Sequence, residues 1–149
     1  MARYFLDTSA LVKLYHDEAG SDRLDELLGR EDRMVVSAVT RIEFSSAVLR
    51  KVRIEEIRAE IAEKVVASFL LDWRLLEVIP VSEEVLEKGV VLVRQYGITP
   101  GLRTLDSVQL ASALEAAKAG PLDYFICADN RLCDVAHREQ LKVFNPLAP

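Results

Sequence analysis

The chain has little of what staples or metallates many small proteins. Its 149 residues include two cysteines and two histidines. Cys127 and Cys133 match no zinc spacing and no His-rich tract accompanies them, which excludes a structural zinc site. Nothing approaches the roughly 18 uncharged apolar residues that cross a bilayer. Tyr4-Phe5-Leu6 is too short for the apolar core of a signal peptide before Asp7 interrupts it. A cytoplasmic protein without a membrane partner is therefore expected. An excess of positive charge is also lacking: 19 Lys and Arg stand against 24 Asp and Glu, a formal net charge of −5. That argues against a general nucleic-acid coat, which uses excess Lys and Arg to displace counterions. It leaves room for an enzyme that meets nucleic acid through bound cations and a local basic rim. There is no internal repeat, no low-complexity tract and no Pro/Gly/Ser-rich linker, so a single domain over residues 1–149 is expected.

What is present is apolar sequence in two rhythms. Half of the chain is hydrophobic, and a domain of this length buries about 68–70% of its unfolded surface without staples. Short apolar runs predict strands at Tyr4–Leu6, Met34–Val36, Leu76–Pro80, Tyr124–Ala128 and Lys142–Phe144. Helix-periodic segments predict helices over Ser9–His16, Asp22–Leu28, Val39–Val52, Ile54–Trp73, Ser82–Tyr96, Thr104–Ala119 and Asn130–Gln140. Val85, Gly89, Leu92 and Val93 fall along one side of the fifth helix. Leu105, Val108, Ala111 and Leu114 are read as a core-facing stripe on the sixth. Cys127, inside Tyr124-Phe125-Ile126-Cys127-Ala128, is expected as a buried, reduced thiol. Strands alternating with helices imply an α/β fold: a three-layer α/β/α domain around a central parallel sheet of about five strands. Ligands bind such sheets beyond the carboxyl ends of the strands.

Acids stand at those ends. The first strand runs into Asp7-Thr8-Ser9, the second through Ser37 into Thr40-Arg41-Ile42-Glu43, and the fourth into Asp129-Asn130. Asp106 lies in the first turn of the helix opening at Thr104. Each has an ordinary explanation: Asp7 and Asp129 as helix N-caps, Thr40 with Glu43 as a capping box, Asp106 as favourable to the helix dipole. A parallel sheet would nonetheless bring all four to one edge. Like charges about 4 Å apart cost ~4 kcal/mol at an effective dielectric of 20, so such a cluster needs protons or a hard cation. Oxygen ligands without His or Cys favour Mg2+ or Mn2+. A cation held by carboxylates can bind a phosphodiester and activate water, so no side-chain nucleophile is required. The two histidines, His16 and His137, fall on helical segments outside this set and read as solvated surface.

Four blocks together carry a family resemblance. They are Phe5-Leu6-Asp7-Thr8-Ser9-Ala10-Leu11-Val12-Lys13-Leu14-Tyr15, then Ser37-Ala38-Val39-Thr40-Arg41-Ile42-Glu43. Leu102-Arg103-Thr104-Leu105-Asp106-Ser107-Val108-Gln109-Leu110-Ala111-Ser112-Ala113-Leu114 follows, and Phe125-Ile126-Cys127-Ala128-Asp129-Asn130-Arg131-Leu132 completes the set. In order and spacing the chain resembles the PIN-domain family, specifically its VapC-like toxins of prokaryotic toxin–antitoxin pairs. The resemblance implies metal-dependent endoribonuclease activity on RNA. By motif position Asp7, Glu43, Asp106 and Asp129 are its acidic quartet. Asp7 and Asp106 would be central ligands of Mg2+ or Mn2+, Glu43 would complete the cluster directly or through water, and Asp129 would hold a second metal or water. Thr8 and Ser9 would be the polar companions of the first acid. Cys127 stands where the family often has Thr, and Gln109 where His is common; neither change removes a carboxylate. The resemblance also implies a homodimer and an antitoxin that inserts a basic or aromatic side chain into the acidic pocket.

Arg41, Arg50, Lys51, Arg53, Arg58 and Arg103 are candidates for RNA-phosphate contact, with plain solvated surface as the competing reading. The apolar content of Ile54–Trp73 exceeds what one core face requires, which suggests a dimer or antitoxin surface alongside core packing. The competing function is a catalytically inactive PIN-like module that binds RNA or protein. A phospho-receiver is rejected, because Glu77-Val78-Ile79-Pro80-Val81 offers no acceptor Asp at the end of the third strand.

Overall fold

A computed structural model describes the whole chain, Met1–Pro149. The short apolar runs become five strands: β1 (Arg3–Leu6), β2 (Arg33–Ser37), β3 (Glu77–Ile79), β4 (Tyr124–Ile126) and β5 (Val143–Phe144). The helices are α1 (Thr8–Leu11, continued by a 3-10 turn over Val12–Leu14), α2 (Ser21–Leu27), α3 (Thr40–Arg53), α4 (Ala59–Asp72), α5 (Glu83–Tyr96), α6 (Thr104–Ala119) and α7 (Asn130–Arg138). The strands pair in the order β3-β2-β1-β4-β5, every pair parallel. This is the expected α/β/α arrangement.

Strand alternation sets the layers. Along β1, Tyr4 and Leu6 face one core with Leu11, Leu24, Phe44, Val48 and Phe69. Phe5 faces the other with Val85, Leu92, Leu110, Leu132 and Val135. Successive side chains of a strand point to opposite faces, and a central parallel strand covered on both sides is apolar throughout. Aromatics key the layers: Phe44 stacks on Phe69 at 3.9 Å, and Phe5 on Phe125 at 5.6 Å. Helices α1–α4 thus cover one face and α5–α7 the other.

The route of the chain fixes where a ligand can sit. From β1 it steps outward through β2 to β3, then returns across the sheet to place β4 on the other side of β1. The order therefore reverses beside β1, and the crevice beyond the carboxyl ends of β1 and β4 is the topological switch point.

Several boundaries and faces differ from the sequence expectation. Helix α4 begins at Ala59 rather than Ile54, because Glu55 turns left-handed (φ 63°) and Ile57 drops into the core. Helix α7 stops at Arg138, just before Gln140 at φ 67°. The first helix breaks into α1 and its 3-10 turn. The α6 stripe is wrong at its start: Leu105 is 46% exposed, whereas Ser107, Gln109, Leu110, Ser112 and Ala113 are buried with Ala111. A spacing of three lags the 3.6-residue turn, and α6 is wedged between α5 and β2, so it buries several sides. Val93 is likewise exposed while Val85, Gly89 and Leu92 are buried. No helix is long and apolar enough to cross a membrane.

Candidate active site

Asp7 follows the last residue of β1. Its Oδ1 accepts the Ala10 N–H at 3.0 Å and so caps α1. The Ser9 hydroxyl lies 2.7 and 2.9 Å from the two carboxylate oxygens. Ser9 Oγ in turn accepts the Ala128 N–H at 3.0 Å, tying the end of β1 to the residue before Asp129. Asp7 is buried at 5% exposure. Burial pushes its carboxyl up to about 6; hydrogen bonds from Ser9, Ala10 and the Cys127 thiol oppose this, and the negative charge of Glu43 adds to it. Cys127 is itself buried and unpaired as a disulfide, as expected.

Glu43 enters from α3. Its Oε1 accepts the Thr8 hydroxyl at 3.1 Å and the Gln109 Nε2 at 2.7 Å. Gln109 Nε2 also lies 2.8 Å from Thr40 Oγ1 and 3.2 Å from Thr8 Oγ1. The capping box is therefore not formed. The helix is capped at Val39 without a side-chain bond, and Thr40 and Glu43 both turn to α6 instead.

Asp106 sits one turn before Gln109, on the same side of α6, since residues three apart are helix neighbours. It is half-buried, and Arg103 Nε stands 3.5 Å from its Oδ2. Burial raises its carboxyl, Arg103 opposes that, and the charge of Asp129 adds to it. Asp129 caps α7 through the Leu132 N–H at 3.1 Å, while its own N–H meets Cys127 Sγ at 3.3 Å.

These contacts close a circuit. Ser9 joins Asp7 to the approach of Asp129, the fields of Asp129 and Asp106 overlap, and Gln109 carries α6 across to Glu43 and Thr8, the neighbour of Asp7. All four acid-bearing elements thus meet at the switch point. The carboxylates themselves do not converge as the sequence suggested. Their couplings run in pairs, Asp7 with Glu43 and Asp106 with Asp129, and no three His, Cys, Asp or Glu side chains are grouped so as to hold a metal ion. Glu43 leans on Gln109 and Asp106 on Arg103. The donor set still fits a hard divalent cation. It is all oxygen, its most buried carboxylate is pushed toward protonation by burial and by the charge of Glu43, and Gln109 Oε1 is buried without a hydrogen-bond partner.

The basic side chains are dispersed. Lys51 is engaged by Glu18 and Glu56, Arg58 reaches Glu60 at 3.7 Å, and Arg41 lies over the Trp73 ring. Arg50 and Arg53 are exposed on α3, away from any acid bridge. Only Arg103 touches the acidic set. His137 is exposed and His16 partly so. Sequence reasoning noted Gln109 only as a family departure and Thr40 only as a cap. The available signal was a Gln embedded in Leu105–Leu114, a long polar side chain where a helix packs on all sides.

A PIN domain model matches residues 4–138. The chain is 34% identical over 144 residues to Ribonuclease VapC35 of Mycobacterium tuberculosis (strain H37Rv), covering 95% of this chain and 96% of that one. Among solved structures it is similar to FitAcB from Neisseria gonorrhoeae, with a TM-score of 0.68 at 19% identity, spanning 98% of this chain and 99% of that one. It is also similar to VapBC-5, a toxin–antitoxin system member from Mycobacterium tuberculosis, with a TM-score of 0.62 at 20% identity over 97% and 99% of the two chains.

Proposed function

The chain belongs to the PIN domain family, and from that membership we propose that it is a metal-dependent endoribonuclease, the toxin of a toxin–antitoxin pair. The observation that carries this reading is the circuit at the switch point, where α1, α3, α6 and α7 each deliver an acid to one edge. The ribonuclease relative, matched along nearly its whole length, supports it. Residues 1–149 would act as one nuclease domain.

Asp7, Glu43, Asp106 and Asp129 would hold Mg2+ or Mn2+. When bound, such a cation supplies a hard Lewis acid to an RNA phosphodiester oxygen and makes water a better nucleophile. The chain's own residues do the rest. Ser9 donates its one hydroxyl hydrogen to the Asp7 carboxylate, and Thr8 donates to Glu43. Arg103 must swing away from Asp106; at 72% side-chain exposure it is free to do so and to meet a phosphate.

Two features support partner binding. Ile42, Leu49, Ile61, Leu71 and Leu75 lie exposed on α3, α4 and the turn after α4, more apolar surface than a lone helical pair leaves open. Solved neighbours are complexes of toxin with antitoxin. An antitoxin would cover this surface and send a basic or aromatic side chain to the acids, and a second copy of the chain would form a homodimer. Cytoplasmic location accords with this reading.

The rival reading is a PIN-like module that binds RNA or protein without turnover. Purified protein incubated with end-labelled single-stranded RNA separates the two. Cleavage should require added Mg2+ or Mn2+, stop in chelator, and vanish in Asp106→Asn. Cleavage that persists in chelator, or in the Asn variant, defeats the proposal, and RNA binding without any cleavage establishes the rival.

A further inference from the structure

Resting on the nuclease reading, we propose that Gln109 is a positioning residue that orients Glu43 for the cation. Gln109 is 3% exposed, and burying an amide is unfavourable unless its polar atoms are satisfied. Its Nε2 faces three acceptors drawn from α1 and α3: Glu43 Oε1 at 2.7 Å, Thr40 Oγ1 at 2.8 Å and Thr8 Oγ1 at 3.2 Å. An amide nitrogen has two hydrogens, so the two shorter contacts take them. The Thr8 hydroxyl then spends its own hydrogen on the same Glu43 oxygen. Both donors fall on Oε1, which leaves Oε2 as the oxygen available to a ligand.

The orphaned carbonyl shows what sets this arrangement. Turned over, the amide would offer its oxygen to the Thr40 hydroxyl but would place its NH2 where the carbonyl now finds no partner. It would also point that oxygen at the Glu43 carboxylate, which when ionised can only accept. Gln109 leaves its own carbonyl unpartnered and keeps an N–H on the Glu43 carboxylate. Partners of this kind, one step behind a ligand, typically change metal affinity or activity 10–100-fold when removed.

Gln109→Met keeps the length and apolar volume and deletes the donor. We expect Mn2+ affinity, read by calorimetry on purified protein, to fall about tenfold. The kcat on RNA should fall while KM stays within about twofold, and the melting temperature should stay close to wild type. Gln109→His, which restores an N–H, should recover most of both losses. Gln109→Asn, which withdraws the amide by one methylene, reads the same loss should the methionine variant not fold. In a Glu43→Gln background the Met substitution should cost no further affinity, because the two changes act on one contact. Wild-type Mn2+ affinity in Gln109→Met, or losses shared equally by Gln109→His, overturns the positioning role alone. A wild-type protein that neither binds Mn2+ nor cuts RNA overturns the nuclease reading and this inference with it.

Discussion

Asp7 combines two uses of one carboxylate, cap and candidate ligand, and the combination has a thermodynamic signature. Folding raises its pKa from 3.8 to about 6. The folded state therefore holds the proton more tightly than the unfolded state. The stability this contributes is fully present below about pH 3.8 and is lost as pH rises through 6. In chelator, this group alone should make the protein about 1.5 kcal/mol more stable at pH 5 than at pH 7.5. Asp7→Asn keeps a good N-cap and removes the charge. Denaturant unfolding should show the variant 1–3 kcal/mol more stable than wild type at pH 7.5, an order-of-magnitude figure, with a flatter profile between those pH values. Comparing variant with wild type cancels the contribution of every other group. An Asn variant that is less stable at pH 7.5 would mean that the charge is not under strain. Ser9 offers a second residue-scale check. Ser9→Ala strands the Ala128 N–H and removes a donor from Asp7, so unfolding should show a loss of about 1–3 kcal/mol without any change in secondary structure.

At the scale of elements, the α3–α4 hairpin turns through Glu55 at φ 63°. An L-residue there bears about 1–2 kcal/mol of strain, and glycine's extra freedom in the unfolded chain costs 0.5–1 kcal/mol. Glu55→Gly should therefore stabilise by about 0.5–1 kcal/mol in urea unfolding; a loss of stability would show that the Glu55 side chain matters more than its backbone. No periodicity in Ile54–Trp73 betrays that turn, because Ile57 belongs to the apolar pattern while sitting outside the helix. Where the local signal and the tertiary demand coincide, the sequence is readable. Thr104–Ala119 is helical at both expected ends, and Asp7 and Asp129 cap as Asp does. Where tertiary packing supplies the partner, the local signal misleads. Thr40 and Glu43 have capping-box spacing, yet each finds Gln109, sixty-odd positions away, a better partner than the other's backbone. The candidate site was legible as four acids at helix starts. The glutamine that binds two of those helices together was not, since nothing local distinguishes it from a misplaced surface residue.

At the scale of the molecule, five parallel strands point their carboxyl ends the same way and the order reverses beside β1. The fold therefore gathers negative charge at one edge and leaves its neutralisation to whatever binds there. Gln109 holds Glu43 in place and Arg103 stands against Asp106, and the four acids share this edge only in the folded chain, so cation binding and folding must be linked. A ligand that binds only the native state stabilises it by about 2.7 kcal/mol at a hundred times its Kd. For a chain of this size each kcal/mol moves the melting temperature by about 2–4 °C. Titrating Mn2+ or Mg2+ into chelator-stripped protein should thus raise the melting temperature by roughly 5–10 °C at a hundred times the Kd, with an onset that tracks the metal dependence of RNA cleavage. Asp106→Asn should flatten the titration, whereas Arg103→Ala, which frees Asp106 from its only cationic neighbour, should shift it to lower metal concentration. A melting temperature indifferent to both cations in wild type would mean that no cation binds at this edge, which leaves Asp7 and Asp129 as helix caps.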